Sequence, residues 1–416
     1  MVHTGGVGRF LAPVLAIAAA VAAVVPGSPP ATAATPGDPL PAVQAVLDTR
    51  EDALRRGDRQ SFLATVDPEA PASFRAAQAR SFDGLRSLPL ASYSLTARVD
   101  DTGDLSAAAA GRYGGGRVFL PETRQAYRFE GYDDRDAVDQ LWWSFVEREG
   151  RWYVAGDADL EALGLETDLQ PWDLGPLRQE RRERVIVLSR PEQAERAAAL
   201  AGIAEEALAA FAAVWDQPWG GRLTLVLPGS LEELERLLES TVDLDNFVAF
   251  AGWRVLPDAD FAATAPRVFV QEARLGRYDR AGQVETMVHE LVHAASAPLS
   301  GPFVAGWVHE GVAEWAATGR ALDRRRPAGG DATLPRDHEL STGPSASIVR
   351  NYQESAAAVS LLAARKGPGA PTAFFRALGE ARVAPGSVDH RVDAALRRSA
   401  GMSLAELEAA WAARRS

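Results

Sequence analysis

HELVH, residues 289–293, constrains this 416-residue chain more than any other stretch. Two histidines four residues apart act together only on a helix, where they differ by about 40° in direction and about 6 Å in height, so both imidazoles share one face. Val284, Val288, Leu291, Val292 and Ala295 form one apolar stripe, which predicts an amphipathic helix with the histidines at the edge of its buried face. Glu290 falls about 100° further round, poorly placed as a third ligand of the same ion but well placed to reach a water beside it.

The chain has no cysteine, so any metal must be held by His, Asp or Glu. Zinc on two histidines needs a third protein ligand and, in a catalytic site, leaves the fourth position to water. The next candidate lies in GWVHEGVAEW, residues 306–315. Sixteen residues separate His293 from Glu310, and Pro298, Gly301 and Pro302 among them are enough turn chemistry to reverse the chain. A second helix beginning near Trp307 then offers Glu310 to the metal, with Glu314 one turn on as an acceptor for an imidazole N–H.

HELVH followed by WVHEGVAEW resembles the gluzincin zinc metallopeptidases, most closely the peptidase MA-like group with its W-L-x-E-G-x-A signature. In that family the Glu of the E-G pair is the third zinc ligand, which matches Glu310. His309 stands where the aminopeptidase branch commonly has Asn, and the connection is slightly shorter, so aminopeptidase specificity does not carry over. NYQESAAAVSLLAARKG and GMSLAELEAAW are similar to the family's Tyr-Ser helix and closing segment, so the resemblance covers about residues 184–416. By that resemblance Tyr352 stabilises an oxyanion; read from its helix alone, beside Ser355, Ala356 and Val359, it is equally a core aromatic. His309 faces the cleft in either reading without displacing Glu310, whereas His338 and His390 have no partner at useful spacing and are expected to be exposed.

The expected chemistry is amide hydrolysis in a peptide or protein substrate, with Zn²⁺ activating a water and Glu290 as general base. Two alternatives stay open: a zinc-bearing binding or scaffold protein without activity, and a zinc hydrolase of a non-peptide amide or ester. There is no G-x-S-x-G, Walker loop or Rossmann fingerprint. A net charge of −12 argues against nucleic acid as a partner, and Lys366, the sole lysine, argues against lysine-dependent catalysis.

At the N-terminus, Arg9 precedes the apolar run FLAPVLAIAAAVAAVV (residues 10–25), followed by prolines and the small residues Ala31 and Ala33. This is the layout of a secretory signal, expected over residues 1–34. The run is 16 residues long and broken by Pro13, short of the roughly 20 needed to span a bilayer. The expectation is a secreted protein with no stable membrane insertion.

The remainder is expected to be α+β in two domains. Residues 38–165 open with helices and pass to strand-like segments; LWWSFVEREGRWYVAGD reads as a hairpin around EREG. Helices followed by such a hairpin resemble the SnoaL-like, nuclear-transport-factor-like cone fold. No convergent set of polar residues stands out there, so this half reads as structural. DDRDAVD, residues 133–139, lacks the glycine and terminal carboxylate of a calcium loop and reads as a solvated turn. Pro171, Gly175, Pro176 and the charge run after them read as a linker over 166–183. From 184 the order is strand (RVIVLS), Ala-rich helix, strand (RLTLVL), helix with Ser230 and Glu233 as a capping box, strand (RVFVQEA), then the HELVH helix: a small sheet followed by a mainly helical, zincin-like part.

Overall fold

Pro41 sits in the first turn of helix α1 (Leu40–Arg56), where its missing N–H removes no helix bond, and Gly57 ends the helix in the left-handed region at φ 71°. In this computed structural model the described residues are 38–99, 111–238, 244, 247–256, 262–300, 304–318, 333–380 and 386–414. The expected secretory signal lies outside them. The chain is mixed α and β and forms two compact units, one ending at Arg178 and the other running from Gln179. No described helix is long and apolar enough to cross a membrane.

In the first unit α1 is followed by α2 (Arg59–Leu63), which Asp58 caps by accepting from the Ser61 N–H, and by α3 (Ala72–Ser87). Strands β1 (Leu90–Arg98), β3 (Glu122–Phe129) and β4 (Ala137–Leu141) make one antiparallel sheet. β2 (Val118–Phe119), β5 (Ser144–Arg148) and β6 (Arg151–Gly156) make another. Every second residue of β3 and β4 is buried, as a sheet covered on one face requires. The expected hairpin is β5–β6, turned at Glu149 and Gly150, both with positive φ (50° and 78°). Its first run is not one strand, because Leu141 ends β4 and Ser144 starts β5 in the other sheet.

The stretch 166–183 differs from a free linker. Helix α4 (Pro171–Leu174) is closed by a Gln170–Asp173 capping box, and Trp172 is 1% exposed, 4.9 Å from the Tyr127 ring. Gly84 admits its backbone: a Cβ there would lie 2.6 Å from the Trp172 Cβ. The apolar area of one tryptophan outweighs the turn signals around it. The end of the stretch is β7 (Arg178–Arg181), the edge of the second unit's sheet.

That sheet has the order β10–β11–β9–β8–β7. β8 (Val185–Ser189) and β9 (Leu223–Leu227) are parallel and buried at every position, the pattern of strands covered on both faces. Helix α5 (Ala194–Ala212) connects them, and α6 (Leu231–Leu238) follows β9. Ser230 caps α6 as expected, accepting from the Glu233 N–H. The Glu233 carboxylate, however, reaches one residue further back, to the Gly229 N–H, and pairs with Arg190, so the box is only half formed. β11 (Ala262–Val270) is parallel to β9 and antiparallel to the edge strand β10 (Ala249–Leu256), which the sequence reading did not assign. The one-turn α7 (Glu272–Leu275) leads into α8 (Arg280–Ser300). Then come α9 (Gly306–Ala317), α10 (Ser345–Lys366), α11 (Ala370–Glu380), α12 (Val388–Ala400) and α13 (Leu404–Ala412).

The contact that positions the site is α9 against α10. A Cβ on Gly311 would lie 2.7 Å from the Ser355 carbonyl oxygen and 2.8 Å from Val359 Cγ2, so only glycine allows this approach. Gly311→Ala should therefore destabilise the second unit by about 1–3 kcal/mol through overpacking. Thermal unfolding of the two proteins checks this; an unchanged Tm would mean the helices are not held at this distance.

Candidate metal centre

Helix α8 is buried at every position from Thr286 to Ala297, around its whole circumference. This corrects the amphipathic expectation: the histidines lie not at the edge of a buried face but inside the core, because β10, β11, α5, α9 and α11 all pack against this helix. Pro298 does not end α8, which continues two residues further to Ser300. α9 is buried from Trp307 to Ala317.

These two helices bring His289, His293 and Glu310 together, with one ligand atom from each within 4.8 Å of the others. Glu310 Oε2 lies 3.2 Å from His289 Nε2 and 3.7 Å from His293 Nε2. Two donors on one tetrahedral zinc, each about 2.0–2.1 Å from it, sit about 3.3 Å apart. None of the four ring nitrogens makes a hydrogen bond, although all are buried. Native proteins rarely leave such atoms unsatisfied, and a cation between them would use the two Nε2 lone pairs. The donor set therefore fits a divalent metal, with His₂Glu the ligand type of one class of catalytic zinc site. On the other side of the His289 ring, Glu314 Oε2 is 3.8 Å from Nδ1, facing that nitrogen but beyond hydrogen-bond length.

Glu290 points elsewhere. It is fully buried, neither carboxylate oxygen makes a hydrogen bond, and it is not one of the clustered donors. Burial raises its pKa to about 8; the nearby His289 charge opposes that shift, Glu310 adds to it, and the Ala251 N–H of β10 draws it down. Tyr352, on α10, is buried with its ring centroid 6.2 Å from that of His289, and its hydroxyl makes no hydrogen bond of good geometry. Burial and the carboxylates of Glu310 and Glu290 hold the phenol well above its ordinary pKa. Tyr352 is a core aromatic, its ring in one cluster with Leu234, Phe250 and Ile348, and its hydroxyl lies beside the acids of the site.

His309 is also in the site, its ring 6.1 Å from that of His293, between Trp253 of β10 and Phe375 of α11. Burial lowers its pKa to about 4, so the ring is neutral. Trp253 and Phe375 were not anticipated. The run Phe247, Val248, Phe250 and Trp253 carried a strand signal, but nothing local tied it to the histidines. His338 and His390 are exposed, as expected.

The first unit holds a buried polar set that the sequence reading missed. Tyr93 donates to Gln125 (3.0 Å), Asp139 accepts from Gln125 (3.3 Å) and Gln170 (3.0 Å), and Arg50 donates to Thr65 and Gln78 while lying 3.9 Å over the Phe62 ring. These residues are scattered from position 50 to 170, and only the packed helices and the sheet gather them. Asp139 belonged to the expected solvated turn 133–139; it is buried there, while Asp133 and Asp136 accept from the Phe129 N–H and the Ser92 hydroxyl.

Compared with known proteins, the chain matches no protein-family model and no curated sequence.

The electrostatics make a prediction about metal uptake. Burial works against a charged His289, but Glu310 and Glu314 outweigh it and raise its pKa, while His293 is held well below its ordinary value by burial and by its neighbouring histidines. A proton on His289 is therefore favoured in the ion-free protein, and a metal bound there would compete with it. Affinity should fall as pH falls, by about tenfold per pH unit for each proton displaced. Calorimetric zinc titration at pH 7 in buffers of different ionisation heat should count one or more protons released; none released would contradict the assigned charge state.

Proposed function

We propose that the second unit is a zinc-dependent peptidase of gluzincin-like, zincin-like build. His289, His293 and Glu310 are the metal ligands, Glu290 is the general base, and Glu314 orients His289. The observation that carries the reading is the convergence of two imidazole Nε2 atoms and one carboxylate oxygen at 3.2 and 3.7 Å, beside a buried Glu290 that faces the Ala251 N–H of β10 and is not one of the clustered donors. Dehydrating imidazoles and carboxylates together inside a core costs several kcal/mol, and a shared cation would offset that cost.

Zinc, when bound, supplies a Lewis acid that acidifies water and polarises a carbonyl. Glu290 takes the proton of the attacking water at a carboxylate oxygen as the new C–O bond forms, and returns it to the leaving nitrogen as the C–N bond breaks. Its raised proton affinity suits the second transfer, because a protonated group with a pKa near neutrality is an effective donor. Tyr352, protonated throughout the physiological range, donates from its hydroxyl to the carbonyl oxygen as charge develops there. The substrate class is a peptide or protein. The reading extends to export through the N-terminal signal and to a SnoaL-like, cone-type first unit.

Glu290→Gln should keep the metal and lower kcat by several orders of magnitude, since a step needing both proton acceptance and donation loses its base; retained turnover would falsify that role. Tyr352→Phe should keep the metal and lower kcat by about 10²–10³-fold, the usual loss for one oxyanion donor. Metal analysis underlies both: about one zinc per chain in the wild type and none in His289→Ala is the expected result, and a wild type unable to bind zinc would end the reading.

A further inference from the structure

β10 and β11 pair regularly from Ala249↔Val270 to Gly252↔Arg267 and again from Arg254↔Thr264. Between them Trp253 alone faces two residues, Ala265 and Pro266, so β11 carries one extra residue there. Ala265 adopts φ 46°, a left-handed conformation that costs an alanine about 1–2 kcal/mol and that glycine would take freely. Bulges of this kind re-aim a side chain, and non-glycine strain persists only where its surroundings impose it. The side chain opposite is the one that stacks on His309, with centroids 6.2 Å apart and planes at 29°. Phe375 closes the imidazole from another side, edge-on at 5.1 Å.

His309 is thereby fixed beside His293 without serving the metal. It is not one of the clustered ligand atoms, and it stands next to Glu310 in sequence, about 100° round the helix. Its Nδ1 is buried and has no hydrogen-bond partner. A proton placed there would be a stranded donor, so we assign the N–H to Nε2. A strained bulge, two aromatic walls and a neighbouring metal centre are more apparatus than a packing histidine requires.

We propose that His309 is a substrate-contacting residue, donating from Nε2 to a backbone carbonyl oxygen of the bound peptide, with Trp253 and Phe375 as the positioning residues that hold its ring. The proposal rests on the peptidase reading above. It names a contact with the substrate's backbone, distinct from the metal, the base and the phenol.

The test uses the full-length, zinc-loaded protein and an internally quenched peptide library. His309→Phe fills the ring's space without a donor, and His309→Gln brings an amide N–H to the place of Nε2. His309→Phe should retain about one zinc per chain and the wild-type Tm, yet lose about 10- to 100-fold in kcat/KM. His309→Gln should recover to within a few-fold of wild type. In the Glu290→Gln background, which binds without turning over, His309→Phe should weaken the calorimetric Kd of the best library peptide by a similar factor. Wild-type kcat/KM and Kd in His309→Phe, or loss of zinc without loss of peptide binding, would overturn the proposal while leaving the peptidase reading intact. A zinc-loaded wild type that cleaves no library member would overturn the peptidase reading and, with it, the His309 contact.

Discussion

One carboxylate oxygen of Glu310 faces two imidazole nitrogens inside a core built largely of aliphatic and aromatic side chains. Left to themselves, those groups would favour water over such surroundings, and a helix carrying them would not choose the interior. What keeps them there is the packing of α8 and α9 among their neighbours. Met287, Val288, Leu291 and Val292 on one helix, and Val308, Val312 and Trp315 on the other, are all nearly or completely sealed. Gly311 lets α10 come close enough to complete the enclosure. The apolar contacts thus hold in place a polar cluster whose own contribution to stability is unfavourable without a cation.

Within that enclosure the acids differ in their surroundings. Glu310, Glu290 and Glu314 are all buried within a few residues of one another, yet they differ in what they face: Glu310 the two Nε2 atoms, Glu314 the far nitrogen of His289, and Glu290 the backbone of β10. Low dielectric surroundings sharpen these differences. A carboxylate beside an imidazole favours the imidazolium, whereas a carboxylate with no such partner is pushed toward its neutral form. Similar side chains therefore suit ligation, orientation and proton transfer by position alone.

The candidate metal centre was the part of this protein most legible in the residues. His289, Glu290 and His293 are local: the i, i+4 spacing places them on any helix, and the helix exists. Glu310 required only that the chain fold back, which Gly301 and Pro302 in the sequence after α8 announced. Less legible was anything made by distant chain segments. Trp253 reaches His309 across 56 residues through a bulge that no local pattern encodes, and Phe375 arrives from 66 residues further on. In the first unit, Gln125, Asp139 and Gln170 meet only because strands pair and a tryptophan anchors α4. The amphipathic reading of α8 failed for a related reason: a stripe counted along one helix cannot register how many other elements cover it.

By itself, then, the sequence determined the chemistry available: which side chains lie one helical turn apart, that no thiol competes for a metal, and where the chain can turn. Those are short-range properties, set by helix geometry and residue type. Only the tertiary structure decided which of these groups are dehydrated and which atoms face one another, and it alone placed a strained strand and its indole beside the histidines. Burial and convergence are sums over segments far apart in the chain, and no window of neighbouring residues contains them.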